Sequence, residues 1–198
     1  MKNEDRRKQT IRQLLDATKQ LLQQKSCGAI TMKDLMERSE LSKGAIFHYV
    51  KSKDELFAWV LEERLDEINA QFYAEVERKA DKSFDGPMRT ITNHLTELDN
   101  RHEVSNKVLV YLLGKEDDPA VAEALHRFYE RAVAFSKQWI QVGMQHGVIK
   151  PSVDPDKTAE MFVLLTIGMR VRTSFPTSSA SLGAGDLASF MAAMLKQD

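Results

Sequence analysis

Between Ile30 and Leu56 the chain reads Ile-Thr-Met-Lys-Asp-Leu-Met-Glu-Arg-Ser-Glu-Leu-Ser-Lys-Gly-Ala-Ile-Phe-His-Tyr-Val-Lys-Ser-Lys-Asp-Glu-Leu, and its hydroxyl residues punctuate it. Thr31, followed three residues later by Asp34, is an N-cap that starts a short helix through about Arg38. Ser42 caps a second short helix through about Tyr49, and Ser52 with Glu55 forms a capping box that opens a long one. Two short helices about three residues apart, with a long helix on each side, make a helix-turn-helix pattern. Leu35, Met36, Leu41, Ala45 and Ile46 can hold the pair against the preceding helix. The outward face of the second helix then carries Ser42, Lys43, Phe47, His48 and Tyr49. That mixture fits a DNA major groove: cations and hydroxyls for phosphate, an imidazole for base acceptors, apolar edges for thymine methyls. Gly44 inside a helix costs about 1 kcal/mol against Ala, which makes sense where the backbone approaches another surface closely. On spacing alone, Phe47 and Tyr49 serve equally well as core residues of a small bundle.

Working outward, apolar spacing is helical nearly everywhere. Ile11, Leu14, Leu15, Thr18, Leu21 and Leu22 share one face of a first helix that Gly28 closes. The long helix from Ser52 buries Leu56, Phe57, Val60, Leu61, Leu65 and Ile68. No proline precedes Pro87, and Asp118-Pro119 and Asp154-Pro155 each set a capping acid before a proline at the first helical position. The helix after Pro119 stops near Gly147. The one after Pro155 is apolar almost all round over Met161–Met169, and so is expected to be buried on most of its circumference. Ser174 to Gly185 reads as a loop, and Asp186 caps a last helix bearing Leu187, Phe190, Met191, Met194 and Leu195. No alternating strand pattern of useful length occurs. The expected architecture is all-α: an N-terminal three-helix helix-turn-helix domain, residues 1–58, and a larger C-terminal helical bundle, residues 59–198, with about nine helices in all.

Composition narrows the function. The chain has 198 residues, 42% hydrophobic and 29% charged, which excludes a disordered protein. A single cysteine, Cys27, excludes an internal disulfide framework and suits a reducing compartment. No signal peptide is visible, and the longest strongly apolar run, Met161–Met169, is short of the roughly 20 residues that a membrane span needs. The expectation is a soluble, cytoplasmic protein without a membrane partner. Residues 1–58 hold 12 Lys+Arg against 8 Asp+Glu, and the remainder 16 against 21. The helix-turn-helix thus falls in the basic part, as a nucleic-acid-binding module would.

The segment resembles the DNA-binding domain of TetR-type (TetR/AcrR) transcriptional regulators. The resemblance rests on Thr31 opening the first short helix, Ser42-Lys-Gly-Ala45 opening the recognition helix, Phe47 and Tyr49 around His48, and Lys51-Ser-Lys-Asp-Glu-Leu56. It spans roughly the first 58 residues; beyond them only the layout of about five further helices and the turn around Gly143 to Gly147 match. The resemblance implies that Thr31 and Lys33 meet the phosphate backbone. Ser42, Lys43, Gly44, Ala45, Phe47 and His48 would lie at the groove, Tyr49 would reach phosphate through its hydroxyl, and Lys53 by charge and helix dipole together. It also implies a ligand-responsive regulator, most often a repressor, that binds palindromic operator DNA as a homodimer. Where the family usually has a turn glycine, this chain has Glu40, and the left-handed conformation costs a non-glycine residue roughly 1 kcal/mol or more.

Leu65, Leu98, Tyr111, Phe128, Trp139 and Met169 either line a pocket for a lipophilic effector or fill a core. Arg170 and Arg172 either anchor an acidic effector or pair with acids across an interface. The last two helices hold more apolar surface than a small bundle needs, so Phe162, Leu165, Leu187, Phe190, Met191 and Met194 are expected at a two-fold interface. The rival from another class is an all-α metal- or cofactor-binding bundle enzyme. Glu123-Ala-Leu-His126 has the Glu-x-x-His spacing of di-iron bundles, but those need two such motifs. His102-Glu103 lacks the second His of a zinc-protease motif. With no Gly-rich phosphate loop and no Ser/His/Asp arrangement, neither enzyme activity nor a metal or cofactor is expected.

Overall fold

The capping residues begin the helices, and tertiary contacts decide where they end. The computed structural model describes residues 2–78, 83–175 and 182–197, and among them are nine α-helices and no named strand. α1 spans Lys2–Gln24, and a 3-10 turn, Cys27–Ala29, leads to α2, Met32–Ser39, and α3, Lys43–Phe47. α4 (Lys53–Arg78) is followed by α5 (Asp85–Leu98) and α6 (Val104–Leu113). α7 (Pro119–Gln145), α8 (Pro155–Arg172) and α9 (Ala184–Leu195) complete the chain. The expected all-α architecture is the observed one. The boundary drawn at residue 58 falls inside α4, which continues unbroken for 26 residues.

Local chemistry explains the starts. Thr31 Oγ1 accepts the Asp34 N–H at 3.2 Å while Asp34 Oδ2 accepts the Thr31 N–H at 2.8 Å, a complete capping box. Ser42 Oγ accepts the Ala45 N–H, and Ser52 Oγ the Glu55 N–H, each at 3.2 Å. Glu55 reaches back one residue further than a box requires, to the Lys51 N–H at 2.7 Å. Asp118 and Asp154 cap α7 and α8 ahead of their prolines, as expected. α9 differs. Gly183 is its N-cap and Asp186 sits a turn in, accepting the Gly183 N–H at 2.8 Å, so the helix starts two residues before Asp186. Half of the loop expected over Ser174–Gly185 lies outside the described residues, and Ala184 and Gly185 belong to α9.

Two apolar cores fill the protein. The first gathers α1, α2, α3 and the start of α4, with Phe57, Leu56, Ile46 and Leu14 fully buried, and runs on into Val108 and Leu112 of α6 and Phe128 of α7. Each such side chain contributes about 1.5–3 kcal/mol by leaving water. The second gathers Leu95 and Leu98 of α5, Ile140 of α7, Phe162 and Met169 of α8, and Leu187 and Met191 of α9. The chain turns back after α7 through Gly147 at φ 70°. There Ile149 packs so close to Gly143 that a β-carbon would lie 2.4 Å from Ile149 Cδ1, so any side chain at 143 would force the buried Ile149 to move.

The helix-turn-helix turn carries one strained residue. Glu40 closes α2 at φ 56°, ψ 24°, the left-handed region, and it is the one non-glycine residue with positive φ among the described residues. The Ser39 carbonyl beside it accepts Gln13 Nε2 of α1 at 2.5 Å, so the turn is held from outside. Glu40→Gly is expected to raise stability by about 1 kcal/mol, read as a higher urea midpoint at unchanged slope; a lower midpoint would show that this φ carries no strain.

Candidate nucleic-acid interface and inner cavity

Ile46 roots α3 in the first core, and its burial turns the opposite face outward. Ser42, Lys43, Gly44, Phe47 and His48 are exposed there, while Ala45 and Tyr49 are half-buried. Phe47 is 42% exposed, with Lys43 Nζ 5.7 Å from its ring centroid; it is not a core residue. Tyr49 packs partly against the core and meets His48 edge to face at 5.0 Å. Nothing in the chain lies within 4 Å of where a Gly44 β-carbon would be. No contact within the chain therefore explains this glycine. Thr31 and Lys33 are exposed at the start of α2. Asp34 is held down at about 2 by its bond to Lys25, then by its bonds to Thr31. The ionised carboxylate thus keeps the α2 cap in place above the ordinary carboxylate range, and that help fades as pH falls toward 2.

Lys53 has main-chain partners that the resemblance does not imply. Its Nζ donates to the carbonyls of Ile30 at 2.7 Å, Cys27 at 3.2 Å and Gly28 at 3.4 Å, and lies about 6 Å from the rings of Phe57 and Tyr111. The ammonium closes the 3-10 turn onto α4. No spacing signal marks this, because the acceptors are main-chain groups. Tyr111, expected in a pocket, also serves the head. Its hydroxyl donates to Asp54 Oδ1 at 3.0 Å, and Lys115 Nζ donates to Asp54 Oδ2 at 2.6 Å. The Asp54 and Tyr111 bonds hold the Lys115 ammonium above its ordinary range, and the buried Asp54 carboxylate is doubly partnered.

An inner cavity of about 170 Å³ lies between the two cores, walled by α4, α5, α7 and α8. Of the residues that either line a pocket or fill a core, Leu65, Leu98, Phe128 and Trp139 line it, as does Arg170; Tyr111, Met169 and Arg172 do not. Met169 is buried in the second core. Arg172 pairs with Asp99 Oδ1 at 2.6 Å and bonds the Leu182 carbonyl, so it is a tie between α8 and its neighbours. Trp139 stacks on Phe72 at 5.0 Å and donates to Asn69 Oδ1 at 2.9 Å, which fixes its ring as wall. The sequence reading missed the cavity's polar end, where Arg64 and His94 join Arg170 and Ser105. His94 Nδ1 lies 3.3 Å from Arg64 Nη2. Burial first, then Arg64 and Arg170, push the imidazole down to about 3, so it is neutral and accepts from Arg64.

The expected two-fold face divides. Phe162, Leu187 and Met191 are buried in the chain's own second core, and Met194 is half-buried, so the first three are not available to a partner. A helix that is apolar all round does not reveal by spacing which side its own chain covers. Leu165 and Phe190 are exposed, joined by Leu164 at 54%.

A basic, aromatic recognition helix on an all-α body defines the helix-turn-helix class of DNA-binding proteins. Residues 14–60 match the family model of bacterial regulatory proteins, tetR family. The chain is 28% identical over 159 residues to the uncharacterized HTH-type transcriptional regulator YfiR of Bacillus subtilis (strain 168), covering 77% of this chain and 73% of that one. Its fold is similar to a TetR transcription regulator from Haloarcula marismortui ATCC 43049 (TM-score 0.69, 16% identity, 96% and 100% covered). It is also similar to a Saccharomonospora viridis protein crystallised in complex with choline (TM-score 0.66, 13% identity, 96% and 100% covered). Residues 14–60 thus carry the helix-turn-helix segment of the tetR family of bacterial regulatory proteins, and the whole chain is similar in sequence to HTH-type transcriptional regulators. Among the described residues no helix is long and apolar enough to cross a membrane.

Because Lys53 holds the turn together, Lys53→Met is expected to cost about 1–3 kcal/mol of stability while leaving the slope of log affinity against log salt for DNA unchanged. Denaturant unfolding and salt titrations check this together. A slope flatter by about one unit at unchanged stability would return Lys53 to the phosphate-contacting role.

Proposed function

We propose that the protein is a repressor that binds palindromic operator DNA as a homodimer and is released by a small, largely apolar effector held in the inner cavity. The reading is carried by α4. It opens against the segment that leads into α2 through Lys53, and eleven residues later it walls the cavity through Arg64 and then Leu65. A ligand that favours one tilt of this helix changes where α3 sits. In this reading residues 1–58 read DNA and residues 59–198 bind effector and partner. The Saccharomonospora viridis protein forms a complex with a small molecule, choline, and so supports ligand binding by a chain of this fold.

Recognition rests on the outward face of α3. Lys43 and the exposed Ser42 hydroxyl meet the groove, Gly44 lets the backbone come close, and Phe47 and His48 read base edges. Tyr49 contributes its hydroxyl. Thr31 and Lys33 secure phosphate at the start of α2. Affinity for the operator is therefore expected to fall steeply with salt as counterions are released. Phe47→Ala and His48→Ala are expected to change which base pairs are preferred, by about 1–3 kcal/mol per pair, whereas Lys43→Ala weakens all sequences. A footprint series with base-pair substitutions checks both; unaltered preference in both Phe47→Ala and His48→Ala would remove α3 from base reading.

Dimerisation is proposed through the outer faces of α8 and α9, with Leu164, Leu165 and Phe190 at its centre. The small residues Gly168 and Ala193, also exposed, let the mate's helices approach. Two heads are then about one DNA turn apart, roughly 34 Å. Phe190→Glu is expected to leave a folded monomer that loses operator binding. Light scattering decides: a wild-type mass of 22.5 kDa at micromolar concentration would remove the dimer from the proposal.

A further inference from the structure

The cavity's polar end holds two guanidinium groups in different electrostatic situations. Arg64 is compensated: it contacts Glu97 and, at 2.9 Å, Glu67, and donates to neutral His94. Arg170 is 6% exposed, yet among the described residues no carboxylate lies within ion-pair distance of it. Its Nε donates to Asn106 Oδ1 at 2.9 Å and its Nη2 to Ser105 Oγ at 2.6 Å, and the ring of Phe128 lies 5.7 Å from the guanidinium carbon. All three partners are neutral. The Glu103 carboxylate is reached through the Ser105 hydroxyl, which donates to it at 2.5 Å. That carboxylate also caps α6 by accepting the Asn106 N–H at 2.9 Å. Burying a cation whose direct partners are all neutral is costly, and this one stands at the polar end of a cavity whose remaining wall is largely apolar, with Leu65, Leu98, Phe128 and Trp139.

Resting on the effector site proposed above, we infer that the ligand is a small amphiphilic carboxylate, its anionic head on Arg170 and its apolar tail toward Trp139. Guanidinium and carboxylate match in a two-pronged geometry, which makes this pairing stronger than a bond to a neutral acceptor. Burial, and then neighbouring Arg64, lower the Arg170 group to about 10 against the pull of Glu103, so it is charged at neutral pH. A cavity of about 170 Å³ suits a tail of one ring or a short chain, since a comparable dry cavity of roughly 150 Å³ holds benzene.

The test is calorimetric titration of the full chain with two matched pairs, phenylacetate with phenylacetamide and hexanoate with hexanamide. Each acid is expected to bind at least about tenfold tighter than its amide. Arg170→Gln should erase that preference and Arg170→Lys retain part of it. Equal affinities for acid and amide in the wild type, failure of both acids to bind, or an undiminished preference in a folded Arg170→Gln chain overturns the inference. The wild-type comparison stands even where a variant does not fold. Operator affinity is measured in the same samples. An acid that binds and leaves DNA affinity unchanged overturns the proposed switch but upholds the anion site; amides that bind as tightly as the acids and release DNA do the reverse.

Discussion

The structure depends on α4 being one unbroken helix that belongs to both cores. Its first two turns supply Leu56, Phe57, Val60 and Leu61 to the core under the recognition helix, and its later turns supply Ile68 and Phe72 to the cavity wall. Neither half can tilt alone without breaking main-chain hydrogen bonds in the interior of a helix. Lys53 and Arg64 are eleven residues apart, about 16 Å along the axis at 1.5 Å per residue. The N-terminal end of that lever is clamped twice: by Lys53 on the carbonyls that precede α2, and by Asp54 between Tyr111 and Lys115 at the end of α6. The head is therefore coupled to α6 as well as to α4, and α6 begins at the Glu103–Ser105–Asn106 cluster that holds Arg170.

What the sequence revealed follows from which interactions are local. Caps act over three residues, so Thr31, Ser42, Asp118 and Asp154 could be read from spacing alone, and the helix-turn-helix followed from them. The strained Glu40 was legible only through the resemblance, whose usual turn glycine marks a left-handed position that Glu40 indeed takes. Asp186 was misplaced because an acid at the third helical position and an N-cap acid look alike when a glycine can serve as the cap. Lys53, Tyr111 and Arg172 were assigned to ligands, whereas their partners are carbonyls or acids distant in sequence, which no period encodes. Spacing also left Phe47 undecided; burial of Ile46 one residue earlier decided it.

The outer face of α8 and α9 shows the limit of hydrophobic pattern. Phe162, Leu187 and Met191 are as apolar as Leu164, Leu165 and Phe190, yet the first three close the chain's own core and the last three are left in water. Which side is covered depends on where α5 and α7 lie, and that is a property of the whole bundle. The exposed remainder is what gives a two-fold partner something to bury, so the dimer proposal rests on the structure more than on composition.

A cavity between two cores matters for a switch only if occupancy changes something that DNA also senses. Arg170 sits on α8, Arg64 on α4, and Ser105 on α6, so one anionic head would draw three helices toward a common point. Two of those helices meet again at Asp54, at the N-terminal end of α4. An effector with equal affinity for both head spacings would change nothing, however tightly it bound. What confers coupling is the difference in how well Arg170 and the α4 wall close on the ligand in each spacing. A difference of about 1–3 kcal/mol suffices to lower operator affinity by about 5- to 150-fold, and the operator must then weaken the effector by the same factor. A buried cation with only neutral direct partners in the chain can supply a difference of that size, because the energy of pairing it with an anion away from bulk water changes steeply with a small displacement of that anion.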